Sequence, residues 1–324
     1  MAYESEKRGK PLFFYDKIND MAQIILKNVQ KKYKDICAIQ DFNLEINASD
    51  FVVVVGPSGC GKTTLLKLIG GIETCDQGEI INHNENISMV FQDAKLFPHM
   101  SVYENIELGI QYKDKKESKK RVEKIAKMLG LESILEQKAK TLSGGQSQKV
   151  SLARALAKES SCILMDEPCC HLDEISRLKI QDECLKIHEQ LKPTIIYVSH
   201  DQKEAMKMAE YLVVMNEGKI QQMGTPQEIY QHPANLFVAR FFGIPTMNFI
   251  ERENEIWGIR PEDVVYDETS DQQAKVIGCE YTGKEYILTL WYQNQEMKMF
   301  DCMDRRGEEI CIRFKNIHYF KKEF

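Results

Sequence analysis

Eight consecutive residues, Gly56-Pro57-Ser58-Gly59-Cys60-Gly61-Lys62-Thr63, fit the pattern GxxxxGK[ST] and carry the strongest chemical signal in the chain. Glycines at this spacing let successive backbone N–H groups turn inward around phosphate oxygens, and a helix starting at Lys62 adds the positive end of its dipole. The pattern assigns Lys62 to the β- and γ-phosphates of a nucleotide and the Thr63 hydroxyl to Mg²⁺, with Thr64 next in line. Asp166 and Glu167 close the apolar run Cys162–Met165. A carboxylate at such a strand end can hold Mg²⁺ through water, and the next one can polarise an attacking water. These two signals define a nucleotide-hydrolysing class that still includes kinases, helicases and GTPases. A third motif narrows it. Leu142-Ser143-Gly144-Gly145-Gln146 opens a helix with Val150, Leu152, Ala153 and Leu156 on its apolar face. A second helix N-terminus lined by small residues again suits a phosphate. One subunit does not need two such sites for one γ-phosphate, whereas two copies packed head to tail would each supply one to the other.

These groups need a sheet to hold them. The run Phe51–Val55 reads as a buried strand feeding the glycine loop, and an amphipathic helix is expected over Thr63–Ile72. Strands are expected near Ile24–Val29 and Phe42–Ile46, and again at Cys162–Met165 and Thr194–Ser199, the last two flanking a helix around Glu174–Leu191. Alternation of this kind implies a parallel sheet under helical cover. The charge-dense stretch Asp114–Lys127 reads as a helix with a solvated face, and Asn216-Glu217-Gly218 as a hairpin turn. After about Met247 the texture becomes β-rich, with Lys275–Glu280, Tyr286–Trp291 and Glu309–Phe314 separated by Thr282-Gly283 and Arg306-Gly307. That pattern predicts a small β-barrel. Residues 1–20 show no periodicity and are expected to be a leader ahead of a fresh start at Met21.

A chain of 324 residues with 43% hydrophobic content supports about two domains with a sizeable core. Its 43 basic and 49 acidic residues give −6, which disfavours a nucleic-acid binder built on phosphate neutralisation. No apolar run approaches the roughly 20 residues of a membrane span, and the N-terminus has no apolar signal core, so a cytosolic protein is expected. The ten cysteines are scattered without a CxxC pair, and the seven histidines show no ligand spacing with them. Reduced thiols and no Cys/His metal site follow.

With these motifs in this order the chain resembles an ABC importer ATPase. It looks most like the group serving maltose, other oligosaccharides, glycerol phosphate, polyamines and iron. The resemblance covers roughly residues 21–264. It implies ATP and Mg²⁺ as cofactors, and it brings in further site residues. Tyr33 matches the aromatic that stacks on adenine. Gln92, in MVFQDAKLFPHMSVYENI, matches the glutamine that touches Mg²⁺ and the membrane subunit. His200, in YVSHDQKEAM, matches the histidine that contacts the γ-phosphate, and Asp173, in HLD, the aspartate that faces the partner subunit. Glu167, His200 and Gln92 are then the catalytic candidates, with Thr63, Gln92 and Asp166 for the metal.

The implied fold is an α/β P-loop (RecA-like) core over residues 21–245, with a helical subdomain at about 100–160. A shortened, oligonucleotide-fold-like regulatory domain follows at 246–324, joined through GTPQEIYQHPANLFVARFFGIPTMNF and GIRPED. The implied partners are a second copy or a related ATPase subunit, transmembrane permease subunits and an external solute-binding protein, with no nucleic acid. The implied place is the cytoplasmic face of the membrane.

Four features depart from the family pattern. The segment between Gly78 and Met89 is short and, like FQDAKLFP, resembles the nitrate, sulfonate and taurine group, which is the alternative importer class. Ser147-Gln148-Lys149 stands where RQR is usual, Cys169-Cys170-His171-Leu172-Asp173 replaces LSNLD or LSALD, and the barrel domain ends early at Phe324. A non-transport clamp ATPase would carry long heptads between phosphate loop and signature, and the interval Lys62–Leu142 has none. A translation factor of this family would carry two phosphate loops, and a sensor that does not hydrolyse would lack Glu167 or His200.

Overall fold

The computed structural model describes residues 22–84, 86–110 and 114–322, so the expected leader at 1–20 lies outside the described residues. The chain opens with two long antiparallel strands, β1 (Ala22–Tyr33) and β2 (Ile36–Asn47), then the buried β3 (Phe51–Val55) and α1 (Lys62–Ile69). β4 (Gln77–Asn82) and β5 (Ile87–Val90) follow, then three helices, α2 (Val102–Glu107), α3 (Lys115–Leu129) and α4 (Gly144–Ala157). The chain returns through β6 (Cys162–Asp166), α5 (Glu174–Leu191), β7 (Thr194–Ser199), α6 (Gln202–Met208), β8 (Tyr211–Asn216) and β9 (Lys219–Gly224). Two short helices, α7 (Pro226–Gln231) and α8 (Leu236–Phe241), lead out of this part.

The central sheet has the order β5-β6-β7-β3-β8-β9 and is parallel except for β9. All five residues of β3 are buried, which is why it reads as an uninterrupted apolar run instead of an alternation. Side chains still alternate between faces. Phe51, Val53 and Val55 join one core with Val122, Leu152 and Ile180 from the helices. Val52 and Val54 join a second with Leu65 and Leu66 of α1 and with Ile24, Phe42 and Ile46 of the outer sheet β2-β1-β4. The sheet is thus covered on both sides.

The C-terminal part comprises β10 (Asn248–Glu251), β11 (Glu255–Ile259), β12 (Val264–Tyr266), β13 (Gln273–Tyr281), β14 (Tyr286–Tyr292), β15 (Gln295–Asp301), β16 (Glu309–Phe314) and β17 (His318–Lys321). They form an antiparallel sheet β12-β16-β13-β14-β15 around its own core and a smaller one, β10-β11-β17. A bridging cluster of Ala239 from α8 with Met247, Ile256 and Phe320 packs the smaller sheet onto the preceding helices.

Several elements differ from expectation for local reasons. α1 stops at Ile69 because Gly70 caps it and Gly71 turns left-handed (φ 66°). β1 and β2 run well past their apolar segments, because bulges at Asn28 (φ 49°) and Asp41 (φ 48°) let the polar ends stay paired. The Asn28 N–H donates to Asn43 Oδ1 at 2.8 Å across this irregularity. The Glu217-Gly218 turn has positive φ at both positions (48° and 74°), the geometry that joins two-residue hairpins.

Phe51 is fully buried, with its ring 5.2 Å from His188 and 6.3 Å from Tyr197. Phe51→Ala is expected to cost about 3–5 kcal/mol, read as a lower urea midpoint with an unchanged slope.

Candidate active site

The glycine loop leaves β3 and closes onto α1. Gly56 must lack a side chain, since a Cβ there would sit 2.2 Å from Met215 O. Gly61 must be glycine twice over: its φ is +108°, and a Cβ would meet Ala38 O at 2.3 Å. Lys62 is only 4% exposed, and its ammonium donates to Gly56 O (2.9 Å) and Pro57 O (3.0 Å). Those bonds hold the cation inside the loop's curve. The Thr63 hydroxyl donates to Asp166 Oδ1 at 3.0 Å. Two oxygen donors, a hydroxyl and a carboxylate, therefore meet at the end of β6, the hard-ligand chemistry that suits a small divalent cation. Burial pushes the Asp166 carboxyl above its ordinary range, and the neighbouring Glu167 charge adds to the shift.

Glu167 is held in a strained position. Its backbone is left-handed (φ 44°), which costs a non-glycine residue about 1–3 kcal/mol. Its N–H donates to Val198 O at 3.1 Å, one Oε lies 2.8 Å from His200 Nδ1, and the other lies 3.7 Å from Lys62 Nζ. Loop, acidic strand and histidine thus come together, as the motifs require.

A layer that the motifs do not reveal holds His200. Glu204 is buried and accepts from Tyr197 Oη (2.5 Å), Gln181 Nε2 (3.1 Å) and the Ser199 hydroxyl. Ser199 Oγ in turn accepts the Asp201 N–H at 3.0 Å. A lone Glu four residues after His200 looks like a solvated helix residue, so only burial exposes its role.

The other candidates lie on neighbouring loops and strand ends, with Tyr33 within reach of Thr64. Gln92 Nε2 lies 3.3 Å from His171 Nε2, and Gln148 donates to the Gln92 carbonyl at 2.5 Å. Gln92, Pro98, Ser147, Gln148 and His171 line a cavity of about 320 Å³. Tyr33 stands at the end of β1, 40% exposed, with its hydroxyl on Glu73. Ser143 caps α4 through a reciprocal pair with Gln146 (3.3 and 2.9 Å), and Asp173 caps α5 by accepting the Ser176 N–H at 3.0 Å. Among the described residues, no hydrogen bond or ion pair joins Ser143, Gly144, Gly145 or Gln146 to the glycine loop. Ser143 and Gly144 are solvent-exposed.

A glycine loop between a parallel strand and a helix, with a carboxylate pair on another strand of the same sheet, defines a P-loop nucleotide hydrolase. A family model described as ABC transporter matches residues 39–170. The oligosaccharides import ATP-binding protein MsmX of Bacillus subtilis is 38% identical over 360 aligned positions, spanning 94% of this chain and 98% of that protein. The osmoprotective compounds uptake ATP-binding protein GgtA of Synechocystis is 46% identical over 245, spanning 72% of this chain and 68% of that one. The dimeric cassette MJ0796, solved in a post-hydrolysis state with ADP and Pi, matches with a TM-score of 0.57 at 33% identity over 63% of this chain and 98% of its own. CbiO1 of Clostridium perfringens, part of the cbiONQ transporter complex, matches at 0.61 with 26% identity over 66% and 93%. The chain belongs to the ABC transporter family, as an ATP-binding and ATP-hydrolysing subunit.

Because the Asp166 carboxyl is raised in the folded protein, its ionised form opposes folding above that raised value, and the opposition fades as pH falls and the proton binds. Asp166→Asn is therefore expected to raise the melting midpoint of the nucleotide-free protein at neutral pH. The gain should shrink toward the ordinary aspartate range, as calorimetry across pH would record.

Proposed function

We propose that this chain drives solute import as half of an ATPase dimer, each Mg²⁺-ATP lying between the glycine loop of one copy and the Ser143–Gln146 segment of the other. The observation that carries this is the separation of the two phosphate-suited helix starts within one chain. The Lys62–Glu167–His200 cluster forms around the first, while Ser143 and Gly144 face solvent at the second. A relative at 33% identity that was solved as a dimer supports a dimeric assembly.

In this reading Gly56, Pro57, Ser58, Gly59, Cys60, Gly61 and Thr64 surround the phosphates with Lys62, and Tyr33 stacks on adenine. Thr63, Asp166 and Gln92 would hold Mg²⁺, whose positive charge would offset the negative charge developing on the phosphate oxygens. Glu167 polarises the attacking water. His200, bonded to Glu167 through Nδ1, presents its other ring nitrogen to the γ-phosphate. Asp173 faces the partner subunit. Catalysis is then positioning and charge stabilisation, with little covalent work by the protein.

The ATPase unit would run over residues 21–245, with its helical subdomain at about 100–160, and the regulatory unit over 246–324. Among the described residues no helix is long and apolar enough to cross a membrane. Permease subunits at the cytoplasmic face, touched near Gln92, and an external solute-binding protein would complete the importer. The full-length match to an oligosaccharide import subunit favours a sugar or a similar small polar solute.

Glu167→Gln should keep ATP binding and lose most steady-state phosphate release. Near-normal turnover would remove Glu167 from its role. In that background Lys62→Ala and Ser143→Arg should each abolish ATP trapping. Mixing the two restores one intact interface per heterodimer, so ATP-dependent dimers with one nucleotide each should return in sizing and nucleotide counting. Folded, exchanging subunits that never trap ATP would count against the shared site.

A further inference from the structure

We propose that the C-terminal β-rich region sets the position of His200 through a single peptide group, the one joining Phe242 to Gly243, with Gln202 as the positioning residue that receives it. The inference rests on the reading that His200 serves the γ-phosphate. Both ends of this peptide are engaged. Its carbonyl, on Phe242, accepts from Arg260 Nη1, while its N–H, on Gly243, donates to Gln202 Oε1 at 3.1 Å. Arg260 follows β11 in the C-terminal region, and Gln202 is the first residue of α6, two positions after His200.

Each end is rigid. Arg260 is 2% exposed and its guanidinium lies 3.9 Å from the Tyr230 ring centre, while Nη2 donates to Tyr230 O at 2.9 Å. The Tyr230 hydroxyl donates to Glu262 at 2.6 Å, closing a loop between α7 and the C-terminal region. Among the described residues Arg260 forms no ion pair with a carboxylate. A buried cation kept by two carbonyls and a ring resists displacement, because moving it would break both Nη bonds while its Nε is already buried without a partner among the described residues. Phe242 is fully buried, and a Cβ on Gly243 would come 2.9 Å from Arg260 Nη1. A cation on the carbonyl also polarises the peptide and strengthens its N–H as a donor.

At the other end Asp201 caps α6, accepting the N–H groups of Lys203 (2.8 Å) and Glu204 (3.1 Å). The Asp201 N–H is fixed by Ser199, and Ser199 by Glu204. The start of α6 and the His200 turn therefore move as one body. A shift of Arg260 against α7 is delivered to the 2.8 Å contact between His200 and Glu167. Occupancy or movement of the C-terminal region thereby changes turnover while leaving the nucleotide cradle alone.

The test uses the full chain. Gln202→Leu keeps the volume and removes the acceptor; Gln202→Glu keeps an acceptor. Turnover, equilibrium ATP affinity and circular-dichroism melting are measured for both, for Arg260→Lys, and for the Gln202→Leu/Arg260→Lys double variant. Gln202→Leu should lower kcat about three- to tenfold, with ATP Kd within about twofold of the parent and Gln202→Glu close to the parent. The double variant should lose no more than its worse single variant, because both act through one peptide. Unchanged kcat in Gln202→Leu, a Kd that rises in step with the loss, or losses that multiply in the double variant would each overturn the coupling. If Arg260→Lys does not fold, the Gln202 pair decides by its split between kcat and Kd. His200→Ala separates the two ideas. Lost turnover there, with Gln202→Leu at parent rate, discards the coupling alone, whereas retained turnover in His200→Ala discards the reading of His200 as well.

Discussion

Val55 pairs with Ser199 and Asp166 pairs with Val198, so β3, β6 and β7 end at one level on one edge of the sheet. Everything chemical in the molecule depends on that register. The glycine loop leaves at the end of β3, the two carboxylates at the end of β6 and His200 at the end of β7. A slip of one residue would exchange the two faces of each strand, sending Val52 and Val54 into the core now filled by Phe51, Val53 and Val55. Both faces are packed by different partners, so the register is fixed by volume as well as by hydrogen bonds.

The level edge gathers charge that folding alone would not favour. Two carboxylates stand beside one buried ammonium, and Glu167 sits in a left-handed conformation. The surroundings hold it there through Val198 O, His200 and Lys62. The raised Asp166 carboxyl belongs to the same arrangement, pushed up by burial and by the neighbouring Glu167 charge. At this edge the left-handed backbone falls on Glu167 and the desolvated carboxyl is Asp166, while the strands beneath are apolar.

The departures from the family's usual residues find structural accounts. Lys149 pairs with Glu183 of α5 and bonds Leu129 O at 3.4 Å, tying α4 to two neighbouring helices. Gln148 fastens α4 to the loop carrying Gln92, and His171 approaches the Gln92 side chain from the turn before α5. Cys169 is buried near Tyr197 and Glu204, where its thiol is pushed up to about 12 by burial, so it packs as an inert apolar group. The substitutions thus tie α4 to its neighbouring helices and to the loop that carries Gln92.

The glycine loop, the carboxylate pair and the signature were legible because each is a local pattern whose chemistry depends on spacing along a few residues. The strands Phe51–Val55 and Thr194–Ser199 and the helix Glu174–Leu191 were legible for the same reason, as uninterrupted apolar runs or sustained periodicity. β4, β5 and, in the C-terminal part, β10, β11, β12, β15 and β17 were not, since three to seven partly exposed residues carry no period that separates them from a loop. Nor were the groups that hold the site. Glu204, Gln202, Gln148 and Arg260 are ordinary polar residues in sequence, and their partners lie up to 57 positions away. Local residue order can propose which side chains bind phosphate. Which polar groups are buried, and against what, is decided only when distant strands and helices close around them, because burial and hydrogen bonding are properties of the packed chain.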